Sequence, residues 1–314
     1  MWGWVKTAGL GLLAAGWLIA GAPAPATAFE AITGDGGPGD SDVRSSGSGG
    51  NAGASGSNGG NGGDPDTLLA RAAQRLEQAV GLVVVSGPFG PHPTGTAWAL
   101  KPDVFVTNAH VVKGVKRALA SPFFDAAFVA INKRPDLQLR VQGMSAHAQH
   151  GEVQRDLAGE LSIGHAFDIG LIRTDGQAPS VFPLASKGEL QALRAGQRVA
   201  YLGFPSENLL KGNVNPLHPV ATMQSGIITS VTDYWQKQQD PSKSYFVRHN
   251  MGAAGGASGS PIFNPEGKIV AVLSGGNLFA GVTKTDNGIN IKRVGNAAMI
   301  NFAQRADLID DLLR

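Results

Sequence analysis

Three residues of the chain have the types that acyl transfer by a serine requires. Ser258 lies in a glycine-rich stretch, His110 follows an apolar, strand-like run, and Asp168 opens another such run. A serine hydroxyl is a weak nucleophile until a neighbouring imidazole accepts its proton, and that imidazole needs a carboxylate to hold its other nitrogen. The chain order His, Asp, Ser is one of the few known for this constellation.

The glycines around Ser258 indicate a site for the oxyanion that forms when a serine attacks a carbonyl. Two convergent backbone N–H groups must stabilise that charge. Glycine lets the backbone take conformations that other residues resist, which is what such a loop needs. We predict that the N–H groups of Gly256 and Ser258 form the pair.

The proposed nucleophile and carboxylate both have rivals in the sequence. Ser260 is the nearest competitor of Ser258, and we interpret it as a structural residue. Asp156 and Asp175 compete with Asp168, but neither precedes an apolar strand. The apolar residues after Asp168 favour a buried carboxylate at the start of a strand.

The other histidines also allow a functional interpretation. His147 and His150, with Glu152 nearby, could suggest a metal site, but the segment lacks a recognised ligand motif and is predicted to be a surface loop. His165 is predicted to be a loop residue. His249 is predicted to be structural, with a contact to substrate as the alternative. We therefore predict no metal site.

These segments resemble the chymotrypsin-like (trypsin-fold) serine peptidases, within the bacterial branch that includes the Deg/HtrA proteases and the glutamyl endopeptidases. The resemblance covers roughly residues 80–305. The matching segments are Thr94–Leu100, Val104–Val112, Phe167–Arg173, Val199–Pro205, Gln224–Val231, Gly255–Asn264 and Ile269–Gly276. It implies a serine endopeptidase that hydrolyses peptide bonds in proteins through an acyl-enzyme intermediate, without a cofactor. The alternative is a non-catalytic or latent peptide-binding, chaperone-like protein on the same fold.

The resemblance also implies roles for the residues that follow the nucleophile loop. Ser274 stands where the family often has a serine bonded to the triad carboxylate. The primary substrate pocket would be bounded by residues 251–255 and by Ser274, Gly275 and Gly276. No carboxylate lies there, and the acid-reading histidine of the glutamyl endopeptidases is missing near 273–276. We therefore predict a small or medium apolar P1 residue.

Short β-type runs with turn residues between them predict an all-β fold of two packed, six-stranded antiparallel barrels with a C-terminal helix. The N-terminal barrel is expected at about 80–180 and the C-terminal barrel at about 195–297. Helices are predicted over 66–79 and 298–313. The expected strands are Leu82–Val85, Thr96–Leu100, Val104–Thr107, Ala127–Ile131, Leu137–Gln142, Ile169–Arg173, Val199–Leu202, Ile227–Val231, Tyr245–Arg248, Pro261–Phe263, Ile269–Leu273 and Ile289–Lys292. The proposed triad would then lie in the cleft between the barrels, and no room is expected for a PDZ domain.

The first 64 residues differ from the rest in composition. Residues 1–28 have the charged start, apolar run and small-residue cleavage site of a secretory signal peptide. Residues 29–64 are rich in glycine and serine and predict a disordered linker before a protease domain at 65–314. We expect a secreted or periplasmic protein, with an uncleaved membrane anchor at residues 7–22 as the alternative. A pro-segment within 29–80 that keeps the protease latent is a further possibility.

Charge and cysteine content exclude some classes of function. The formal net charge is +2 and the basic residues are scattered, so nucleic acid is not expected as a partner. The chain has no cysteine, which excludes disulfides, thiolate metal sites and cysteine nucleophiles. Protein or peptide substrates remain as the expected partners.

Overall fold

The structure is a computed structural model that describes residues 63–151, 166–205, 215–276, 278–285, 288–295 and 300–314, with backbone only over 278–295. The predicted signal peptide and nearly all of the predicted linker lie outside these ranges. No helix in the described ranges has the length and apolar character that crossing a bilayer would require.

Six antiparallel strands close into a first barrel in the order β1-β2-β3-β6-β5-β4. Their bounds are β1 (Val80–Gly87), β2 (Gly90–Lys101), β3 (Val104–Thr107), β4 (Ala126–Ile131), β5 (Gln138–Ala146) and β6 (Gly170–Thr174). Valine, isoleucine and aromatic side chains suit such strands because they pack well on a pleated surface. Leu82, Trp98, Phe105 and Ile172 fill this barrel and are fully buried.

A second antiparallel barrel has the order β10-β11-β14-β9-β8-β7. The strands in chain order are β7 (Arg198–Gly203), β8 (Thr222–Thr232), β9 (Phe246–His249), β10 (Pro261–Phe263), β11 (Ile269–Gly276), β12 (Leu278–Thr285), β13 (Gly288–Gly295) and β14 (Asn301–Arg305). Strands β12 and β13 pair only with each other, as a two-stranded sheet. The predicted fold of two six-stranded antiparallel barrels is confirmed.

The last strand of the second barrel is not the one that the sequence predicted. The predicted strand Ile289–Lys292 lies in β13, outside the barrel, and the sixth barrel strand is β14. We had predicted helix over 298–313; only a 3-10 helix at Ala306–Leu312 follows the strand. Strand β14 pairs with β9 on one side and β11 on the other, and all its residues are buried. Tertiary pairing overrides the helical pattern here, and the second barrel extends beyond residue 297.

The described part of the chain contains three α-helices. Helix α1 (Pro65–Leu76) begins at Asp64, whose carboxylate accepts from Thr67 N, and it continues as a 3-10 helix (Glu77–Ala79), close to the predicted 66–79. Helix α2 (Ala109–Leu119) was not predicted, although it carries His110. Helix α3 (Lys187–Gln191) and a 3-10 helix (Pro241–Lys243) complete the described helices.

A chain of aromatic rings joins the two barrels. The ring of Phe182, in the connection between them, lies 6.0 Å from that of Trp98 in β2 and 5.8 Å from that of Phe263 in β10. All three side chains are almost fully buried. Aromatic side chains bury large areas and add specific ring contacts, so these three rings help to hold the two barrels together.

Candidate active site

The pairing of β3 with β6 brings His110 and Asp168 together. Thr107 at the end of β3 pairs with Gly170 at the start of β6. His110 lies three residues after Thr107, and Asp168 lies two residues before Gly170. The Asp168 Oδ2 atom lies 2.7 Å from His110 Nδ1, and Oδ1 accepts from the His110 backbone N–H at 2.9 Å. Both oxygens of the Asp168 carboxylate are therefore bonded to His110, one to its ring and one to its backbone N–H.

Asn108 fixes the start of α2 and the backbone of Asp168. Asn108 is the N-cap residue of the helix, and its side-chain amide donates to Asp168 O at 2.8 Å. The Asp168 carboxylate lies against the first turn of α2, where it accepts the His110 N–H. The N-terminal end of a helix stabilises negative charge, so this placement favours the ionised aspartate.

Burial and charge pairing act in opposite directions on the two groups. Burial alone would raise the pKa of the fully buried Asp168, but the attraction and hydrogen bonds of His110 leave it lowered. Burial alone would lower the pKa of His110, but the attraction and hydrogen bond of Asp168 leave it raised. At neutral pH the aspartate is ionised and accepts the Nδ1 proton, which leaves Nε2 as the proton acceptor of the neutral ring.

The raised pKa of His110 predicts the acid limb of the pH–rate profile. A general base works only when neutral, so kcat/KM should rise with pH through the pKa of His110 in the free enzyme. Because Asp168 stabilises the imidazolium, we expect the midpoint above the ordinary histidine value of about 6.5. The measurement is kcat/KM of a peptide substrate from pH 5 to 9. A midpoint at or below the ordinary value would contradict this description of the pair.

Ser258 lies in the loop between β9 and β10, on the second barrel. Its hydroxyl donates to Ser274 O at 3.4 Å, and within the described ranges it makes no hydrogen bond with His110. Ser274 is the extra residue of a bulge in β11, between the paired positions Leu273 and Gly275. Bulges re-aim a strand locally, and here the bulged residue presents its carbonyl to the serine.

The turn before Ser258 leaves two N–H groups available. Ala257 N donates to Ala254 O at 3.1 Å, and Gly256 has a φ of +89°, near the value of about +80° at the third position of a type II turn. Neither Gly256 N nor Ser258 N makes a hydrogen bond with any residue of the described ranges. These are the donors that the sequence suggested for an oxyanion.

Gly259 allows the loop to lie directly against the first barrel. Its φ is +88°, and a Cβ atom there would lie 2.1 Å from Thr96 O and 2.4 Å from Thr107 Oγ1. Only glycine fits both the conformation and the space. The neighbouring Ser260 is fully buried and donates to Ala257 O at 2.6 Å, so its hydroxyl is engaged inside the loop.

The sequence reasoning missed His150. We predicted a surface loop, but the His150 side chain is only 8% exposed and its Nε2 lies 3.3 Å from Asp168 Oδ1. Its charge contributes to the lowered pKa of Asp168. Strand β5 ends beside the start of β6, with Ala146 paired to Gly170, and this register carries the following residues towards Asp168. Only knowledge of that strand pairing would have revealed the contact.

Several other predicted positions also differ from expectation. His147 is buried, stacks on Phe167 and faces Asp311 at 3.3 Å, so the surface-loop prediction was wrong for it too. Ser274 Oγ accepts from Asn108 Nδ2 at 3.2 Å, in place of the predicted bond to the Asp168 carboxylate. Glu152, Asp156 and His165 lie outside the described residues.

The remaining candidates, Asp175 and His249, have the surroundings of structural residues. Asp175 is exposed at the far end of β6 and accepts from Arg140 N at 2.9 Å. His249 is fully buried on β9, and burial lowers its pKa to about 4, so the ring is neutral at physiological pH. The structural role of His249, with a contact to substrate as the alternative, stays a prediction.

Comparison with protein families gives a match over residues 95–272 to the family described as "Trypsin-like peptidase domain". Among solved structures, an inactive form of Rv3671c from M. tuberculosis H37Rv is 17% identical, with 80% of this chain and 92% of that chain covered and a TM-score of 0.46. The HtrA-type protease AlgW with a decapeptide is 16% identical, with 78% and 68% covered and a TM-score of 0.49. A search of curated proteins gave no significant match.

Proposed function

Because the chain belongs to the trypsin-like peptidase family and is a serine protease, we propose that it is an endopeptidase that uses Ser258 as nucleophile, His110 as general base and Asp168 as the residue that orients His110. The observation that carries this proposal is the 2.7 Å contact between His110 Nδ1 and the fully buried Asp168 Oδ2. A buried ionised carboxylate on a histidine beside a cleft is the arrangement that activates a serine.

The proposed reaction has two halves. Ser258 Oγ attacks the scissile carbonyl carbon while its proton passes to His110 Nε2, and the resulting tetrahedral oxyanion collapses to an acyl-enzyme as His110 protonates the leaving amine. A water molecule then attacks the ester carbonyl, gives its proton to His110, and releases the carboxylic acid product with Ser258 regenerated. Asp168 stays ionised throughout and stabilises the imidazolium.

The N–H groups of Gly256 and Ser258 are the proposed oxyanion donors. Gly256 lies in the turn that precedes Ser258, and neither N–H group is engaged with a described residue. Losing one such donor in a serine protease costs on the order of 10²–10³ in kcat. The turn at Gly256 is closed by the hydrogen bond from Ala257 N to Ala254 O, which supports this assignment.

The serine hydroxyl must change partner before it can react. Ser258 Oγ donates to Ser274 O over a long distance of 3.4 Å, which is a weak bond. In the proposed reaction the Ser258 hydroxyl exchanges this partner for His110 Nε2. Catalytic hydrogen bonds are often long in unliganded enzymes and shorten only in the substrate complex.

Peptide segments with a small or medium apolar P1 side chain are the proposed substrates. The HtrA-type protease AlgW is solved with peptides bound, which makes peptide substrates a reasonable proposal for this chain. Beside Gly276, a Cβ atom would lie 3.1 Å from Asn301 Oδ1 and 3.4 Å from Ala253 O, so the space next to this strand is narrow.

We further propose that the protein is secreted or periplasmic, because of the composition of residues 1–28.

The proposal predicts cleavage of unfolded protein chains that a fluorophosphonate blocks. Purified full-length protein should cut an unfolded substrate such as reduced casein at internal peptide bonds, with new N-termini readable by mass spectrometry. Prior treatment with the fluorophosphonate should stop cleavage, because the reagent consumes an activated serine. Cleavage that persists after stoichiometric labelling, or no cleavage together with peptide binding, would favour the non-catalytic alternative.

A further inference from the structure

Thr96 is a fully buried residue of β2 whose hydroxyl reaches across to the second barrel. Thr96 Oγ1 donates to Gly256 O at 2.8 Å and accepts from Phe204 N at 3.1 Å. Both partners belong to the second barrel or its loops, while Thr96 belongs to the first. One hydroxyl therefore links the body of the first barrel to the turn that precedes Ser258.

The backbone of Thr96 holds the same loop at a second point. Thr96 N donates to Ser258 O at 2.8 Å, and Thr96 O accepts from Thr107 Oγ1 at 2.7 Å. The two residues whose N–H groups are the proposed oxyanion donors, Gly256 and Ser258, thus both have their carbonyl groups fixed by one residue. Thr96 itself is fixed by the strand pairing of the first barrel.

The contact with Gly256 O has a specific effect on the turn. The peptide between Gly256 and Ala257 is held at both edges, its carbonyl by Thr96 Oγ1 and its N–H by Ala254 O. With that plane fixed, the remaining freedom lies at the glycines, whose backbone populates positive and negative φ about equally readily. Fixing one plane of such a turn restricts which way the Gly256 N–H can point.

We propose that Thr96 is a positioning residue that keeps the oxyanion site formed in the free enzyme, through the hydrogen bond from its hydroxyl to Gly256 O. This inference rests on the proposed function, since it assigns Thr96 a role in that same site. Thr96 does not touch the reacting atoms. It acts by holding the Gly256 donor in the orientation that the tetrahedral intermediate needs, so its loss lowers kcat rather than substrate binding.

A purely structural role for Thr96 makes a different prediction. Removing the hydroxyl also leaves Phe204 N without its partner, and an unsatisfied buried donor lowers stability. That effect changes the temperature of unfolding but leaves the turnover of each folded molecule unchanged. The two roles therefore separate when kcat, KM and stability are measured on the same variants.

The test compares Thr96→Val and Thr96→Ser with the matched control Thr174→Val. Thr174 is also a buried threonine whose hydroxyl donates to a backbone carbonyl, Gly176 O at 2.9 Å, but it lies at the far end of β6. Thr96→Val should lower kcat by about 10- to 100-fold with KM within about threefold, since part of one oxyanion donor is lost. Thr96→Ser and Thr174→Val should stay within about threefold of wild type.

Inhibition by a peptide aldehyde is a measurement that a purely structural role of Thr96 would leave unchanged. The aldehyde adduct carries an oxygen at the oxyanion position, so Thr96→Val should weaken aldehyde inhibition by about the same factor as kcat. If Thr96→Val does not fold, Thr96→Cys replaces it: the thiol is a weak donor, and its kcat should fall well below that of Thr96→Ser. Equal kcat for the cysteine and serine variants would then overturn the proposal.

The outcomes distinguish this inference from the proposed function. If wild type hydrolyses the peptide and Ser258→Ala does not, the function stands, and a Thr96→Val kcat equal to that of Thr174→Val overturns only the role of Thr96. If wild type itself shows no hydrolysis, the proposed function fails first. A selective fall in kcat and aldehyde affinity, restored by serine, is the result we expect.

Discussion

Replacing Ser258 with alanine should lower kcat for peptide hydrolysis by about 10⁶-fold, the size of the loss found when a triad serine is removed. The reason is that no other group in the turn can form the acyl-enzyme. The hydroxyl makes only a long hydrogen bond, to Ser274 O, so its loss should change the free energy of unfolding by about 1 kcal/mol or less. The measurements are kcat/KM and thermal unfolding of the purified variant.

Ser260 supplies the control for that result. It is two residues further along the same loop, and its hydroxyl is committed to Ala257 O at 2.6 Å in a fully buried position. Ser260→Ala should lose stability of about 1 kcal/mol and retain most of its activity. An inactive Ser260→Ala together with an active Ser258→Ala would exchange the roles of the two serines and refute the assignment.

Replacing Asp168 with asparagine should lower kcat by about 10⁴-fold at neutral pH. An amide next to His110 Nδ1 can favour the wrong tautomer, in which Nε2 carries the proton and no longer accepts one from Ser258. The imidazolium also loses the ion partner that now raises the pKa of His110. Part of the loss should be recovered as the pH rises, because hydroxide can replace the general base.

Asp175 is the matched control for Asp168, because it is the rival carboxylate and lies at the other end of the same strand. It is exposed and accepts from the backbone of Arg140. Asp175→Asn should keep kcat within about twofold of wild type, since surface substitutions away from a site usually have small effects. Comparable losses in the two variants would show that the effect comes from the fold and not from His110.

The sequence allowed the prediction of the two barrels and of the contact between His110 and Asp168. His110 and Asp168 each adjoin a short apolar strand, and the antiparallel pairing of β3 with β6 brings the two residues together although the strands are distant in sequence. The serine loop was recognisable because its glycines have φ values that only this residue adopts with ease. At these positions the residue types and the apolar runs beside them predict the same structure.

The errors lie where long-range pairing decides the structure. Residues 301–305 are buried on both faces, so they lack the alternation that identifies a strand, and their partners β9 and β11 are distant in sequence. His150 reaches Asp168 through the register of β5 with β6, which the spacing of residues along the chain does not reveal. Helix α2 follows a strand almost directly, and its N-cap residue Asn108 makes no side-chain hydrogen bond to the first turn.

The most direct test of the account is to map the site of covalent modification by a fluorophosphonate. Wild-type protein should gain one adduct, and peptide mapping should place it on Ser258. The Ser258→Ala variant, folded by circular dichroism, should gain none under the same conditions. An adduct on Ser260 or another residue of wild type, or undiminished labelling of Ser258→Ala, would contradict the claim that Ser258 is the nucleophile activated by His110 and Asp168.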